Sequence, residues 1–247
     1  KITVKAIFER TCWVRKLIGS IIDRIFQRLI VTAIRNLNDQ EMHPRKIILK
    51  EVQAESAVFA KEHMTGALIR DGQFDILKLA VDRAPEDGMI LEFGVAGGTS
   101  INYIALLTDR DINGFDSFEG LPEDWAGRPE EKGHYSLQGK MPSVRKNVIL
   151  HKGWFNETLP AFLEQNSGSL ALLHIDCDLY SSTKTVLDAL VTRFVPGTVI
   201  VFDEFFNIPN WRQNEYRAFM ELVKSESIEF SYICWGYQQV CVRIDKI

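Results

Sequence analysis

Cysteine is scarce in this chain of 247 residues: four, at Cys12, Cys177, Cys234 and Cys241, with no CxxC pair among them. That excludes a disulfide framework and a zinc ribbon, and reduced thiols in a cytoplasmic protein are the expectation. Long apolar runs are missing as well. In the stretch 14–33 the uncharged runs stop at six residues, Leu17 to Ile22 and Leu29 to Ile34, where a bilayer span needs about 20. Arg24 and Arg28 interrupt any signal-peptide core there, and no small-residue cleavage site follows. There is no GK[ST], so a phosphate-cradling P-loop is absent, and no internal repeat or low-complexity tract. What remains is ordinary: 46% apolar and 25% charged residues, the composition of a globular domain rather than a disordered or fibrous chain.

The net charge of -4 is unevenly spread. Residues 1–35 carry eight Lys/Arg against Glu9 and Asp23, a local +6, which leaves -10 on residues 36–247. Val14, Leu17, Ile18, Ile21, Ile22, Ile25, Phe26, Leu29, Ile30 and Ala33 recur at spacings of three and four, so 14–33 reads as a basic amphipathic helix. Three readings of its stripe stand open: packing on the body of the protein, pairing in a homo-oligomer, or contact of residues 1–35 with an anionic membrane surface. Packing and oligomer carry most of the weight. A nucleic-acid partner is not expected, because the body is acidic and the basic residues lack interleaved aromatics.

Residues 1–45 read as this basic extension, with Asn36 to Arg45 as connector, and 46–88 as a helical lead-in with helices over 47–70 and 74–84. From Met89 apolar runs alternate with helical stretches. Strands are expected at 89–95, 112–115, 148–152, 170–175 and 198–202, with helices near 99–108, 159–165, 183–194 and 211–224. The runs 230–235 and 240–244 close the chain as a hairpin. This is an α/β pattern with a mainly parallel sheet over 89–247. Only 117–144 breaks the alternation, and its length without periodicity marks it as a lid or substrate loop.

In such a sheet, ligands sit beyond the carboxyl ends of the strands, and those positions are rich in acids. After the first strand stand Glu92, Gly94, Val95, Gly97, Gly98, Thr99 and Ser100, a glycine turn that does not spell GxGxxG. A carboxylate beside that turn repels a pyrophosphate and suits a ligand with a cationic amino-acid group. Asp116 and Ser117 follow the second strand, and an acid there can accept hydrogen bonds from ribose hydroxyls. Gly153 and Trp154 follow the third, where Trp154 can stack on a purine or fill the core. Asp176 and Asp178 follow the fourth and Asp203 and Glu204 the fifth. Converging carboxylates call for a hard divalent ion, Mg²⁺ above others. Asp178 also has the place of a helix N-cap.

The motifs at Glu92–Ser100, Gly114–Glu123, Gly153–Pro160, Ile175–Thr183 and Arg212–Gln213 together resemble the macrocin and mycinamicin type of sugar O-methyltransferase, a class I family that uses S-adenosyl-L-methionine. The resemblance runs from about residue 60 to about residue 240. It implies a Rossmann-like, seven-stranded, mostly parallel sheet with an antiparallel last strand, flanked by helices. It implies Glu92 and Gly94 near the methionine part of the cofactor, Asp116 on its ribose, and a metal site of Asp176, Asp203 and Glu204. One departure stands out: Glu204 occupies a position where the family shows aspartate.

The reaction implied is methyl transfer to a sugar hydroxyl of a glycoside, polysaccharide or natural product. The acceptor is then a small molecule or glycan. Catechol-methylating relatives place a lysine where this chain has Leu179, so the general-base candidates are Asp178 and His134. Trp125 and Arg212 are candidates for holding the acceptor. The rival readings are methylation of a catechol-like vicinal diol and a non-catalytic cofactor-binding module.

Overall fold

The computed structural model describes residues 26–32 and 43–247. Of the basic helix expected over 14–33, only 26–32 fall among these and are helical (α1); the rest lies outside the described residues. The chain divides into two compact units, Lys1–Glu51 and Val52–Ile247. Among the described residues no helix is long and apolar enough to cross a membrane.

The elements that follow are α2 (Pro44–His63), β1 (Leu68–Ile69), α3 (Gln73–Arg83), β2 (Met89–Phe93), α4 (Thr99–Leu107), β3 (Ile112–Asp116), β4 (Val148–Lys152), α5 (Phe155–Gln165), β5 (Leu170–Ile175), α6 (Tyr180–Leu190), β6 (Val199–Phe202), α7 (Glu215–Ser225), β7 (Glu229–Trp235) and β8 (Val240–Lys246). The sheet runs β1-β7-β8-β6-β5-β2-β3-β4. Only β8 is antiparallel, to β6 and β7 on either side. The sheet thus has eight strands rather than the expected seven. The extra one is the two-residue β1, parallel to β7.

Alternation along the strands sorts the core into two layers. Phe93, Leu173, Ile175, Ile200 and Phe202 face one way and pack with Leu159, Phe162, Val186, Leu187, Phe219 and Leu222 of α5, α6 and α7. Ile90, Leu172, Val199 and Val201 face the other way, onto Ile76, Leu77, Ile101 and Ile104 of α3 and α4. β5 is buried along its whole length, as its unbroken apolar run requires for a central parallel strand.

Several elements differ from the sequence reading: α5 starts four residues earlier, at Phe155, and α6 spans Tyr180–Leu190 rather than 183–194. The lead-in helix ends at His63, before β1, and starts at Pro44, a residue suited to a first helical turn because it has no N–H to leave unpaired. The helix expected over 211–224 is split at Asn214 into a 3₁₀ turn, Trp211–Gln213, and α7. The stretch 117–144 holds no helix or strand, yet it is not structureless. Leu121 N–H donates to the His134 carbonyl and Gly133 N–H to the Leu121 carbonyl, His134 N–H donates to Glu131, Trp125 N–H to Glu130, and Leu137 and Gly139 donate to the Phe118 carbonyl. Buried Trp125 anchors it, with the Arg128 guanidinium 4.5 Å above its ring.

Candidate active site

Backbone hydrogen bonds align the strand ends. Gly153 N–H donates to Asp116 O, Gly94 N–H to Phe115 O, Asp176 N–H to Phe93 O and Asp203 N–H to Ile175 O, each at 2.9–3.0 Å. Gly94 adopts φ +92, and a Cβ there would fall 1.7 Å from the Asp176 carbonyl oxygen. Only glycine tolerates both constraints. The contact brings the turn after β2 against the acids after β5.

A cavity of about 450 Å³ opens over these ends, the size of a small-molecule site. Of the expected cofactor residues, Gly94, Val95, Thr99, Ser100, Asp116, Ser117 and Trp154 line it, together with Ala96 and Gly97. Glu92, Gly98 and Gly153 do not. Glu92 is fully buried; its Oε1 accepts from Ser100 Oγ at 3.0 Å and its Oε2 meets His174 Nδ1 at 2.8 Å. Gly98 supplies the left-handed residue (φ +81) that opens α4. Gly153 makes the bend after β4.

Asp116 organises the turn itself. Its Oδ2 accepts from the N–H groups of Val95 and Ala96 at 2.9 and 2.7 Å, and its Oδ1 from Phe118 N–H at 2.6 Å. A carboxylate oxygen offers two acceptor directions, so Oδ1 keeps one for a ligand hydroxyl.

The acids gather beside this turn in two overlapping groups. Ligand oxygens of Asp176, Asp178 and Glu204 lie within 4.8 Å of one another, and so do ligand atoms of His174, Asp176 and Asp203. The expected trio of Asp176, Asp203 and Glu204 is therefore divided. Asp203 turns toward α3, where its Oδ1 accepts from Gln73 Nε2 at 2.8 Å. Glu204 turns toward α7: its N–H donates to Glu215 Oε2 at 2.9 Å, its Oε1 accepts from Gln238 Nε2, and its Oε2 lacks a hydrogen-bond partner among the described residues. Asp178 is not a helix cap. α6 starts two residues later, Leu179 occupies the cap position and makes no side-chain cap bond, and Asp178 sits at φ +66, buried.

Crowding shows in the acidities. Burial, then the charge of Asp203, pushes the carboxyl of Asp178 up to about 7. The same two causes, in the same order, hold Asp176 and Glu204 well above the ordinary carboxylate range. An all-oxygen, mutually repelling donor set with an unpartnered oxygen fits a hard divalent cation.

The remaining expected residues stand elsewhere. Trp125 is the loop's buried anchor rather than a cavity wall: its ring belongs to the main hydrophobic core and does not line the cavity. His134 is exposed and does not line the cavity; its neighbour Tyr135 does, at φ +65. Burial first, then the Asp178 charge, raises the Tyr135 phenol to about 12. Arg212 pairs with Glu55 and lies 4.2 Å over the Trp211 ring, away from the cavity. Gln73, Tyr135 and Glu215 belong to the site without a sequence pattern to announce them.

The family model for Macrocin-O-methyltransferase (TylF) matches residues 22–230. A tetracenomycin-C rhamnosyl 4'-O-methyltransferase of Streptomyces olivaceus is 32% identical, over 54% of this chain and 60% of the relative. The mycinamicin III 3''-O-methyltransferase of Micromonospora griseorubida is 30% identical, over 57% and 66%. The chain thus spans about 60% of the length of the first curated relative it matches. Among solved structures, the calicheamicin methyltransferase CalS11 superposes with a TM-score of 0.58 at 26% identity, covering 69% of this chain and 76% of that one. The O-methyltransferase NovP gives 0.54 at 22%, covering 70% and 80%, and speaks for the fold alone. The fold is that of the class I methyltransferases, and on the match across 22–230 the chain belongs to the macrocin O-methyltransferase family.

Proposed function

We propose that this protein is an S-adenosyl-L-methionine-dependent O-methyltransferase that acts on a sugar hydroxyl of a glycoside, polysaccharide or natural product, with a divalent cation, Mg²⁺ by its donor set. The observation that carries this reading is one cavity lined both by the glycine turn with Asp116 and Trp154 and by Asp176, Asp178 and Glu204. The printed activities of the relatives, a rhamnosyl 4'-O-methyltransferase and a mycinamicin III 3''-O-methyltransferase, support a sugar hydroxyl as acceptor.

When bound, S-adenosyl-L-methionine supplies an electrophilic methyl carbon, and a divalent cation lowers the pKa of a coordinated hydroxyl. The chain's own residues do the positioning, which is most of the work in an in-line displacement. The turn from Gly94 to Gly97 gives close backbone approach, with open space at Gly97. Asp116 Oδ1 accepts from a ribose hydroxyl, and the half-exposed Trp154 offers its face to the purine. Asp176 and Glu204 would hold the cation. Asp178, in the same cluster, accepts the proton of the hydroxyl oriented there. Leu121, Pro122 and Tyr135 wall the acceptor side.

Calorimetry with S-adenosyl-L-methionine tests the first half, and folded protein that binds none rejects the reading. Methyl transfer to a panel of rhamnosides in Mg²⁺ tests the second. There Asp178→Asn lowers kcat by about 10²-fold or more if it takes the proton, and an unchanged rate removes it from that role.

A further inference from the structure

The loop after β3 carries one side chain that neither the core nor the proton transfer accounts for. Tyr135 holds a left-handed backbone, φ +65, a steric outlier for a bulky residue. Strain of this kind persists only where the surroundings impose it, and it gathers at ligand clamps. Here they impose it from both flanks. Leu121 N–H donates to the His134 carbonyl at 3.0 Å, Ser136 N–H to the Gly133 carbonyl at 3.2 Å, and Leu137 N–H to the Phe118 carbonyl at 3.0 Å. A Cβ at Gly120 would fall 2.2 Å from the His134 carbonyl oxygen, so the turn lies flush against the strap that carries Leu121 and Pro122. The core gains little from this, because 47% of Tyr135 is exposed.

What the strain presents is an aromatic face in the cavity. Tyr135 lines it with Leu121, Pro122, Asp178 and Glu204, a role expected of Trp125 and Arg212, neither of which lines the cavity. Burial first, then the charge of Asp178, keeps the phenol protonated at neutral pH. The face of an aromatic ring is electron-rich and attracts polarised C–H bonds, whereas carboxylates accept from hydroxyls. A pyranose offers both, C–H bonds on one face and hydroxyls around its edge. We infer that Tyr135 selects the acceptor: its ring is the platform for the C–H face of a pyranose, whose hydroxyls then reach Asp178 and Glu204. This rests on the proposed transfer to a sugar and names the residue that recognises it.

The test uses the full chain in Mg²⁺ with methyl α-L-rhamnopyranoside as probe. Saturation-transfer NMR, with the protein's aromatic protons irradiated, reads which sugar protons lie on a ring. Transfer to the C–H protons of one sugar face is expected in the wild type and in Tyr135→Phe, and its loss in Tyr135→Gly. In turnover, Tyr135→Gly raises the rhamnoside KM about tenfold or more, with kcat within about threefold, the pattern of lost binding. Tyr135→Phe keeps the wild-type KM. Glycine adopts φ +65 freely, so Tyr135→Gly is expected to hold its Tm. A structural brace would instead lose Tm at unchanged KM, and that result overturns the inference. So does a wild type that binds no rhamnoside at tens of millimolar, or one that binds catechol in its place. Should Tyr135→Gly unfold, comparison of the wild type with Tyr135→Leu, which keeps bulk without a π face, decides. S-adenosyl-L-methionine calorimetry on the same preparation keeps the two readings apart: without cofactor binding the methyl transfer fails, while the sugar spectrum still decides Tyr135.

Discussion

A methyl group added at Gly94 would sit 1.7 Å from the Asp176 carbonyl oxygen, on a backbone at φ +92. Gly94→Ala is therefore expected to cost about 3 kcal/mol or more, from left-handed strain of about 1–2 kcal/mol plus the displaced strand end. Thermal unfolding and calorimetry with S-adenosyl-L-methionine check it, and a variant with wild-type stability and affinity contradicts the geometry. Acidity gives a second prediction at this scale. Unfolded carboxyls titrate near 4, while Asp178 in the fold titrates near 7, through burial and then Asp203. Between those values the folded state holds more protons than the unfolded one. Stability then falls as pH rises from about 4 to about 7. In chelator, the loss of about 3 kcal/mol is expected to lower Tm by roughly 6–13 °C across this window, at roughly 2–4 °C per kcal/mol for a chain of this size; Mg²⁺ should flatten the drop. Residue chemistry was legible wherever an acid or glycine followed an apolar run. What sequence could not tell was facing. Glu92 stands near the end of β2 and Glu204 just past β6, yet one is sealed between Ser100 and His174 and the other opens on the cavity.

The elements were read well where apolar spacing was strict: β2 to β6 stand at their expected places within a residue or two. The errors fall where local chemistry overrides periodicity, as at Asn214, which interrupts the expected helix and leaves Arg212 in a 3₁₀ turn. Arg212 and Glu55 are both nearly half exposed, so their pair contributes only about 0–1 kcal/mol. Arg212→Ala is expected to leave turnover within about twofold, since a site that distant couples weakly; a large fall in kcat would restore it to the acceptor site. The loop after β3 behaves oppositely. Its hold depends on the enclosed ring of Trp125, and truncation of a buried tryptophan costs about 3–5 kcal/mol. Trp125→Ala should raise the acceptor KM about tenfold or more, because Leu121, Pro122 and Tyr135 lose their support. Cofactor affinity should change little, and steady-state kinetics in each substrate separates the two.

For the whole molecule, every residue that lines the cavity lies at or beyond Gln73. Removal of residues 1–42 is accordingly expected to leave S-adenosyl-L-methionine affinity within about twofold, measured by calorimetry on the shortened chain. Loss of binding would give the basic segment a part in the cofactor site. The charge asymmetry was plain in the sequence, and the division at Glu51 and Val52 falls beyond it.

The ladder of strand ends has one more consequence. β3 and β4 are locked in register from Ile112 with Val148 to Asp116 with Lys152, so the chain leaves and re-enters the sheet at fixed points whatever lies between. The loop that brings Leu121, Pro122 and Tyr135 to the cavity is hung from those two points, while the glycine turn and the acids belong to the frame. A graft that keeps Asp116 and Val148 can exchange that loop alone. On the proposed reading, acceptor choice can be redesigned beyond Ser117 in this loop while Gly94–Gly97 and Asp116, in the frame, keep their places.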